Sequence, residues 1–278
     1  MLHGLRDCAW SLLPIAHALA SSGDAHEGYR VVIPELRGHG SSDHSEAYAM
    51  SHFLMDLHQV IEHFTAGDCA LFGHSLGGHI VTRYAALFPE AIRAMLVVEG
   101  LGPPARPYEG DPAAEVRAYR EMLLTRLGER GAQARPIKDL ADVAARLLRN
   151  NPRLSPALAD TIAPHMVRPL GQHLTWSFDA RANSVFIGTS THDNVRFWQQ
   201  VQAPTCIISG TLSHEYWGRE LASDGFTGHF APGEMESRAQ QFCHHTHHWF
   251  EQSGHMVHYD EPQRLADVSR QFLEQHYV

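Results

Sequence analysis

Cysteine is scarce in the 278 residues: only Cys8, Cys69, Cys206 and Cys243 occur, far apart and with no CxxC pair. That spacing excludes a disulfide-stapled scaffold and a thiolate zinc site, and it suits a reducing compartment. Long apolar runs are missing too. Nowhere do about 18 apolar residues follow one another, the length a helix needs to cross a bilayer, and residues 1–10 lack the basic start and apolar stretch of a secretion signal. A soluble, cytoplasmic protein is the expectation. Positive charge is in deficit, with 22 Lys and Arg against 31 Asp and Glu for a net −9, so phosphate backbones and anionic membranes are repelled. Neither nucleic acid nor a membrane is expected as a partner, and no repeat or low-complexity linker is visible.

What is present is ordinary for a globular chain, 44% hydrophobic and 19% charged, which excludes disorder and fibre. Histidine is the exception. Its 22 copies, with a reference pKa of about 6.5, would shrink or reverse the net charge on mild acidification. Four of them lie in the run 244–248, just before Trp249 and Phe250. Two readings stay open for that run, a metal site and a strand with alternating faces.

Short apolar runs at 30–34, 69–72, 94–98, 205–209 and 247–251 alternate with segments of helical period, and Leu2 is the stub of an earlier run. This is the pattern of an α/β fold, a mostly parallel sheet flanked by helices. Phe53, Leu54, Leu57, Val60, Ile61 and Phe64 form one helical stripe that Ser51 can cap. From about 103 to 196 the strand rhythm stops and helix starts appear, Asp111–Pro112 and Ser155–Pro156. The expected division is a core of 1–102 and 197–278 with a helical cap of 103–196. A tail helix follows Pro262, with Leu265, Val268, Phe272 and Leu273 on one side.

The chemistry concentrates where the run 69–72 ends in Gly73, His74, Ser75, Leu76, Gly77, Gly78, followed by residues in helical period. A serine between close glycines at a strand-to-helix turn is held in a strained conformation that exposes its hydroxyl. The spacing is not that of a phosphate or dinucleotide loop. A serine hydroxyl is a weak nucleophile until an imidazole takes its proton and a carboxylate steadies the resulting imidazolium. Glu99 directly follows five apolar residues, which sets it at the carboxyl edge of the sheet where ligands of such folds bind. Glu215 is the alternative acid.

With its His3–Gly4 pair near Trp10, Arg37 to Ser42 as RGHGSS, the GHSLGG turn and Gly254 to Pro262 as GHMVHYDEP, the chain resembles the α/β-hydrolase superfamily over nearly its whole length. The resemblance implies His255 as catalytic base, with His258 as competitor, and backbone amides of Leu5 and Leu76 as oxyanion donors. Its commonest acid position holds Ser213 here, which cannot carry charge. Glu99 instead resembles the placement in the branch containing some haloalkane dehalogenases and a coelenterazine luciferase. Family members usually have further strands before the His–Gly pair, so the amino terminus looks shortened and a second copy of the chain could cover the open edge as a homodimer. Glu35, where relatives often carry aspartate, is expected to be structural.

The function so implied is cleavage of a small-molecule carboxylic ester by a Ser–His–Glu triad through an acyl-enzyme, with no cofactor and no metal. Lactonase, thioesterase, carbon–carbon hydrolase, cofactor-free haloperoxidase and a catalytically silent ligand-binding protein share the scaffold. Trp176, Phe178, Phe186 and Trp198 are the aromatic candidates for the lining of the substrate pocket.

Overall fold

A computed structural model describes residues 1–21, 28–65, 68–106, 109–129, 136–187, 189–221 and 226–277. Helices α1 (Leu13–Ala20) and α2 (Met50–Phe64) precede the first strand. Strand β1 (Cys69–His74), helix α3 (Leu76–Leu87) and strand β2 (Ile92–Val98) form the first crossover unit. Then come α4 (Pro112–Glu129), α5 (Leu140–Asn150), α6 (Pro156–Ile162), the short strands β3 (Val167–Leu170) and β4 (His173–Trp176), and α7 (Thr191–Trp198). The chain returns through β5 (Thr205–Gly210), α8 (His214–Glu220), α9 (Glu234–Ala239), β6 (His245–Phe250), α10 (Val257–Asp260) and α11 (Pro262–His276).

The main sheet has the order β1-β2-β5-β6, and every pairing is parallel. Its central strands are apolar on both faces because both faces are covered. On β2, Ala94, Leu96 and Val98 meet Leu12, Ile15, Leu265 and Phe272 on one side of the sheet. Met95 and Val97 point the other way, into a cluster with Phe53, Leu57, Ile80, Tyr84 and Phe242. The two-residue period of a strand thus sorts one continuous apolar run into two cores.

Three expectations need correction. The segment 30–34 is extended but joins no ladder; its neighbour is the stretch Met1–His3, where the Met1 amine donates to Val32 O at 2.7 Å and Leu2 bridges to Gly73. So short a neighbour cannot supply a ladder. Ser51 does not cap α2: the N-cap is Ala49, whose N–H donates to the His52 ring at 3.2 Å. The stretch 103–196 is not purely helical either, since Gly171, at φ 59°, turns β3 back on β4 as an antiparallel hairpin. Asp111 and Ser155 cap as expected, accepting from Ala113 N and Leu158 N. Within 103–196, Ile137, Val143, Leu147, Ile162 and Met166 form an apolar cluster that Cys8 and Tyr259 join.

Among the described residues no helix is long and apolar enough to cross a membrane, and all four cysteines are free thiols.

Candidate active site

The turn after β1 is shaped by what cannot be there. A Cβ on Gly73 would stand 2.3 Å from Gly77 O, and one on Gly77 would stand 2.4 Å from Leu2 O. The strand can therefore turn straight into α3 only with glycine on both sides of Ser75. Ser75 itself takes φ 51°, ψ −113°, a conformation side chains rarely adopt and one that active sites retain at a cost of about 1–3 kcal/mol. Its amide donates to Val98 O at 3.0 Å, which fastens the turn to the end of β2.

His255 and Glu99 converge on this serine. The His255 ring lies 3.0 Å from Ser75 Oγ through Nε2 and 3.0 Å from Glu99 Oε2 through Nδ1. A carboxylate can only accept, so Nδ1 carries the proton, and the Nε2 lone pair is left to accept from the serine hydroxyl. Glu99 sits at φ 48°, and its other oxygen accepts the Gly210 amide at 2.7 Å. Both carboxyl and imidazole are buried, at 6% and 2% exposure, where their electrostatic interaction is little screened by water.

The rival acids and bases are otherwise engaged. Glu215 pairs with Arg153 at 2.7 Å, and that hydrogen bond lowers its pKa below the usual range. Ser213 donates to Gly210 O at 2.9 Å. His258 Nε2 bonds Asp7 Oδ2 at 3.2 Å, away from Ser75.

Leu5 lies in the loop after the His3–Gly4 pair and Leu76 directly follows Ser75, and among the described residues neither amide is engaged elsewhere in the chain. Leu76 opens α3, where backbone N–H groups have no partner within the helix. The loop carrying Leu5 is held by histidines. Arg6, at φ 61°, donates its N–H to His39 Nε2 at 3.0 Å, and Leu36 N donates to His3 Nε2 at 3.0 Å. Burial pushes the His39 ring down to about 3, so it stays neutral and keeps that acceptor. Glu35 accepts the Ala9 amide at 3.0 Å in the same loop, a structural part.

Two arrangements of side chains were not marked by the sequence. Tyr216 stacks on the His255 ring, with centroids 4.1 Å apart and planes 17° apart, and Trp217 meets the same ring at 4.7 Å and 65°. The other is a buried network behind the base. Asp7 accepts from Tyr259 OH at 2.9 Å and Ser11 OH at 2.8 Å as well as from His258, and His74 Nε2 donates to His255 O at 2.8 Å. Although burial acts to raise it, the hydrogen bond from His258 and its charge hold the Asp7 carboxyl well below the usual carboxylate range. Burial pushes the His74 ring far down. A polar residue three positions after Gly4 and a histidine three after His255 were the available signals.

Asp7, His74 and His258 bring three potential metal donors within 4.8 Å of one another. Asp7 already accepts from Ser11, Tyr259 and His258. The histidine run lies in and beside β6. There His245 Nδ1 donates to Phe242 O and His247 Nε2 bonds the Ser209 hydroxyl.

The expected pocket aromatics scatter. Trp198 is fully enclosed and stacks on Phe242, 5.8 Å away, because α7 turns it into the core below α3 and not toward the site. Trp176 and Phe178 stack on each other at 5.9 Å, with Trp176 against the insertion's own cluster. Phe186 lies edge-on to His79, one helical turn beyond Ser75. A cavity of about 750 Å³ lies elsewhere, along Glu35, Arg37, Asp56 and His63, and touches none of Ser75, Glu99 and His255.

Comparison with known proteins finds the same scaffold. The model of a family described as the alpha/beta hydrolase family matches residues 1–268. A Haemophilus influenzae protein described as a candidate esterase/lipase is 24% identical over 276 residues, 98% of this chain and 81% of its own length. A serine hydrolase-like protein of Danio rerio is 23% identical over 254 residues, 88% of this chain and 74% of that one. Among solved structures, the thioesterase domain from a curacin biosynthetic pathway superposes with a TM-score of 0.77 at 24% identity, over 96% of this chain and 88% of that one. An esterase from Mycobacterium tuberculosis gives 0.68 at 20% identity, over 98% and 82%. These likenesses are of fold.

Proposed function

The chain belongs to the alpha/beta hydrolase family, and from that premise we propose that it is a serine hydrolase cleaving small-molecule carboxylic esters through an acyl-enzyme. The observation that carries this reading is the pair of 3.0 Å bonds from one buried imidazole, one to Ser75 Oγ and one to Glu99 Oε2.

In this mechanism Ser75 Oγ attacks the ester carbonyl while its proton passes to His255 Nε2. The imidazolium so formed is held by Glu99 through Nδ1–H. The carbonyl oxygen becomes an oxyanion, for which the Leu5 and Leu76 amides are the donors in this reading. His255 then gives the proton to the departing alkoxide, which leaves as the alcohol, and Ser75 stays acylated. Water attacks the acyl-enzyme, its proton goes to His255, and Ser75 Oγ leaves with that proton to regenerate the hydroxyl. An aspartate nucleophile, as epoxide hydrolases and haloalkane dehalogenases of this fold use, is absent at position 75. The residues 103–196 act as the cap over this edge of the sheet.

The test is turnover of p-nitrophenyl esters of increasing acyl length, together with mass-spectrometric mapping of a fluorophosphonate adduct. The reading expects ester turnover and an adduct on Ser75. Labelling at another residue, or turnover that survives Ser75→Ala, overturns it.

A further inference from the structure

Each nitrogen of His255 is used in the plane of its ring, by Ser75 and by Glu99, so support from outside that plane must come from what lies against the ring face. Tyr216 lies there, nearly parallel and 4.1 Å away between centroids. Its place is fixed by α8. That helix starts in the turn after β5, with Tyr216 N donating to Ser213 O at 3.1 Å. It is then clamped by two ion pairs, Arg153–Glu215 at 2.7 Å and Arg6–Glu220 at 2.6 Å. The second clamp joins α8 to the loop that carries Leu5.

An aromatic face is negative, so it attracts a cation laid against it and does little for a neutral ring beyond dispersion. In the proposed mechanism His255 is neutral at rest and becomes an imidazolium only as Ser75 gives up its proton. A contact that favours only the charged form acts on the transition state and not on substrate binding. We infer that Tyr216 is a positioning residue for the base: its ring holds the His255 imidazole in the plane shared by Ser75 and Glu99, and it stabilises the imidazolium during proton transfer. The inference rests on the Ser75–His255–Glu99 reading above.

The surroundings agree with this role. Burial raises the Tyr216 hydroxyl above its ordinary value, so the ring remains a neutral phenol. The other groups about the imidazole are Glu99 and Ser75 at its nitrogens, His74 from β1 at 5.2 Å, Trp217 at 4.7 Å and His79 from α3. Burial pushes His79 down to about 3, so it adds no positive charge near neutrality. Tyr216 also faces Arg219, whose guanidinium lies 5.6 Å from its ring centroid, and its hydroxyl hydrogen-bonds the Arg6 side chain, with Glu220 beyond. Arg153 reaches the neighbouring Gly254, with its charge answered by Glu215 and Asp260.

The test compares Y216F, Y216L and Y216M with wild type in ester turnover, in the rate of fluorophosphonate attachment to Ser75, and in thermal melting. Y216M keeps side-chain length if leucine loosens α8. The expected result is a loss of about 3- to 30-fold in kcat for Y216L and Y216M, with KM changed less than about twofold. Attachment to Ser75 slows by a similar factor, and the acid limb of the kcat/KM profile moves to lower pH. Y216F restores all three, because it keeps the ring and drops only the hydroxyl with its bond to Arg6. Wild-type kcat and attachment rate in a properly folded Y216L or Y216M overturn the inference, and so does a Y216F as impaired as Y216L. A wild-type protein that takes no label at Ser75 overturns the triad reading itself, and the role of Tyr216 with it.

Discussion

The Glu215 carboxylate lies 2.7 Å from the Arg153 guanidinium, and this pairing bears on which of the two acids left open by the sequence serves His255 in the proposed mechanism. It engages Glu215 with Arg153, while Glu99 Oε2 accepts a hydrogen bond from His255 Nδ1–H at 3.0 Å. Glu99→Gln should therefore keep the fold and lower kcat by about 10⁴-fold, since an amide permits the wrong tautomer and cannot steady the imidazolium. Glu215→Gln loses one half-exposed ion pair and should cost less than about tenfold. Steady-state kinetics on both variants checks the ranking, and the reverse order would move the acid to the strand after the insertion.

In the proposed mechanism Ser75 and His255 work on one proton, so their removal should not be additive. Ser75→Ala should cost on the order of 10⁶-fold in kcat, His255→Ala about as much, and the double variant little more than either. A His255→Ala enzyme with most of its activity would return the base to His258. The observed bond from His258 to Asp7 argues against that outcome.

Backbone contacts around the serine turn lead to a stability prediction with an internal control. A methyl at Gly73 would press on Gly77 O at 2.3 Å, where neither partner is a flexible side chain. Gly73→Ala should lose at least about 3 kcal/mol or fail to fold. Gly128, near the end of α4, has nothing within 4 Å of an added Cβ. Gly128→Ala should gain about 0.5–1 kcal/mol by limiting the unfolded chain and favouring helix. Denaturant melts of the two variants separate a steric effect from a general intolerance of substitution.

The elements that were legible are those whose signal is local. The five-residue apolar run before Glu99 needed only its own period to mark β2 and the acid at its edge. The glycines around Ser75 announced the turn because their positions are fixed by backbone contact. What escaped depended on partners distant in sequence. The segment 30–34 has the composition of a strand, yet a ladder needs a paired neighbour, and among the described residues the segment joins none, its contact with the stretch from Met1 being the Met1 amine on Val32 O. Trp198 looked like a pocket residue by type, but the direction of α7 sends it into the core against Phe242. Tyr216 meets His255 across 39 residues of chain, through a helix whose placement depends on ion pairs to Arg6 and Arg153. No spacing rule reaches that far.

The histidines make stability depend on pH, though not as their number suggests. If all were free, mild acid would charge them in the folded protein. His39 and His79 are buried, and burial pushes both rings down to about 3, with the charges of Arg83 and Arg238 adding to the effect at His79. In the unfolded chain each ring has the ordinary value of about 6.5. As pH falls below that value the unfolded state takes up protons that the folded state refuses, so stability is whole above about 6.5 and is lost steadily toward 3. Between pH 7 and pH 5 each of the two should cost about 2 kcal/mol. The melting temperature should fall over that interval, and the fall should be shallower in His79→Gln, which has no ring to protonate. Equal melting temperatures at pH 5 and pH 7 would show that these rings are open to water. The loss of ester turnover in acid must be measured below the melting transition, where it reports on the base at Ser75 and not on unfolding.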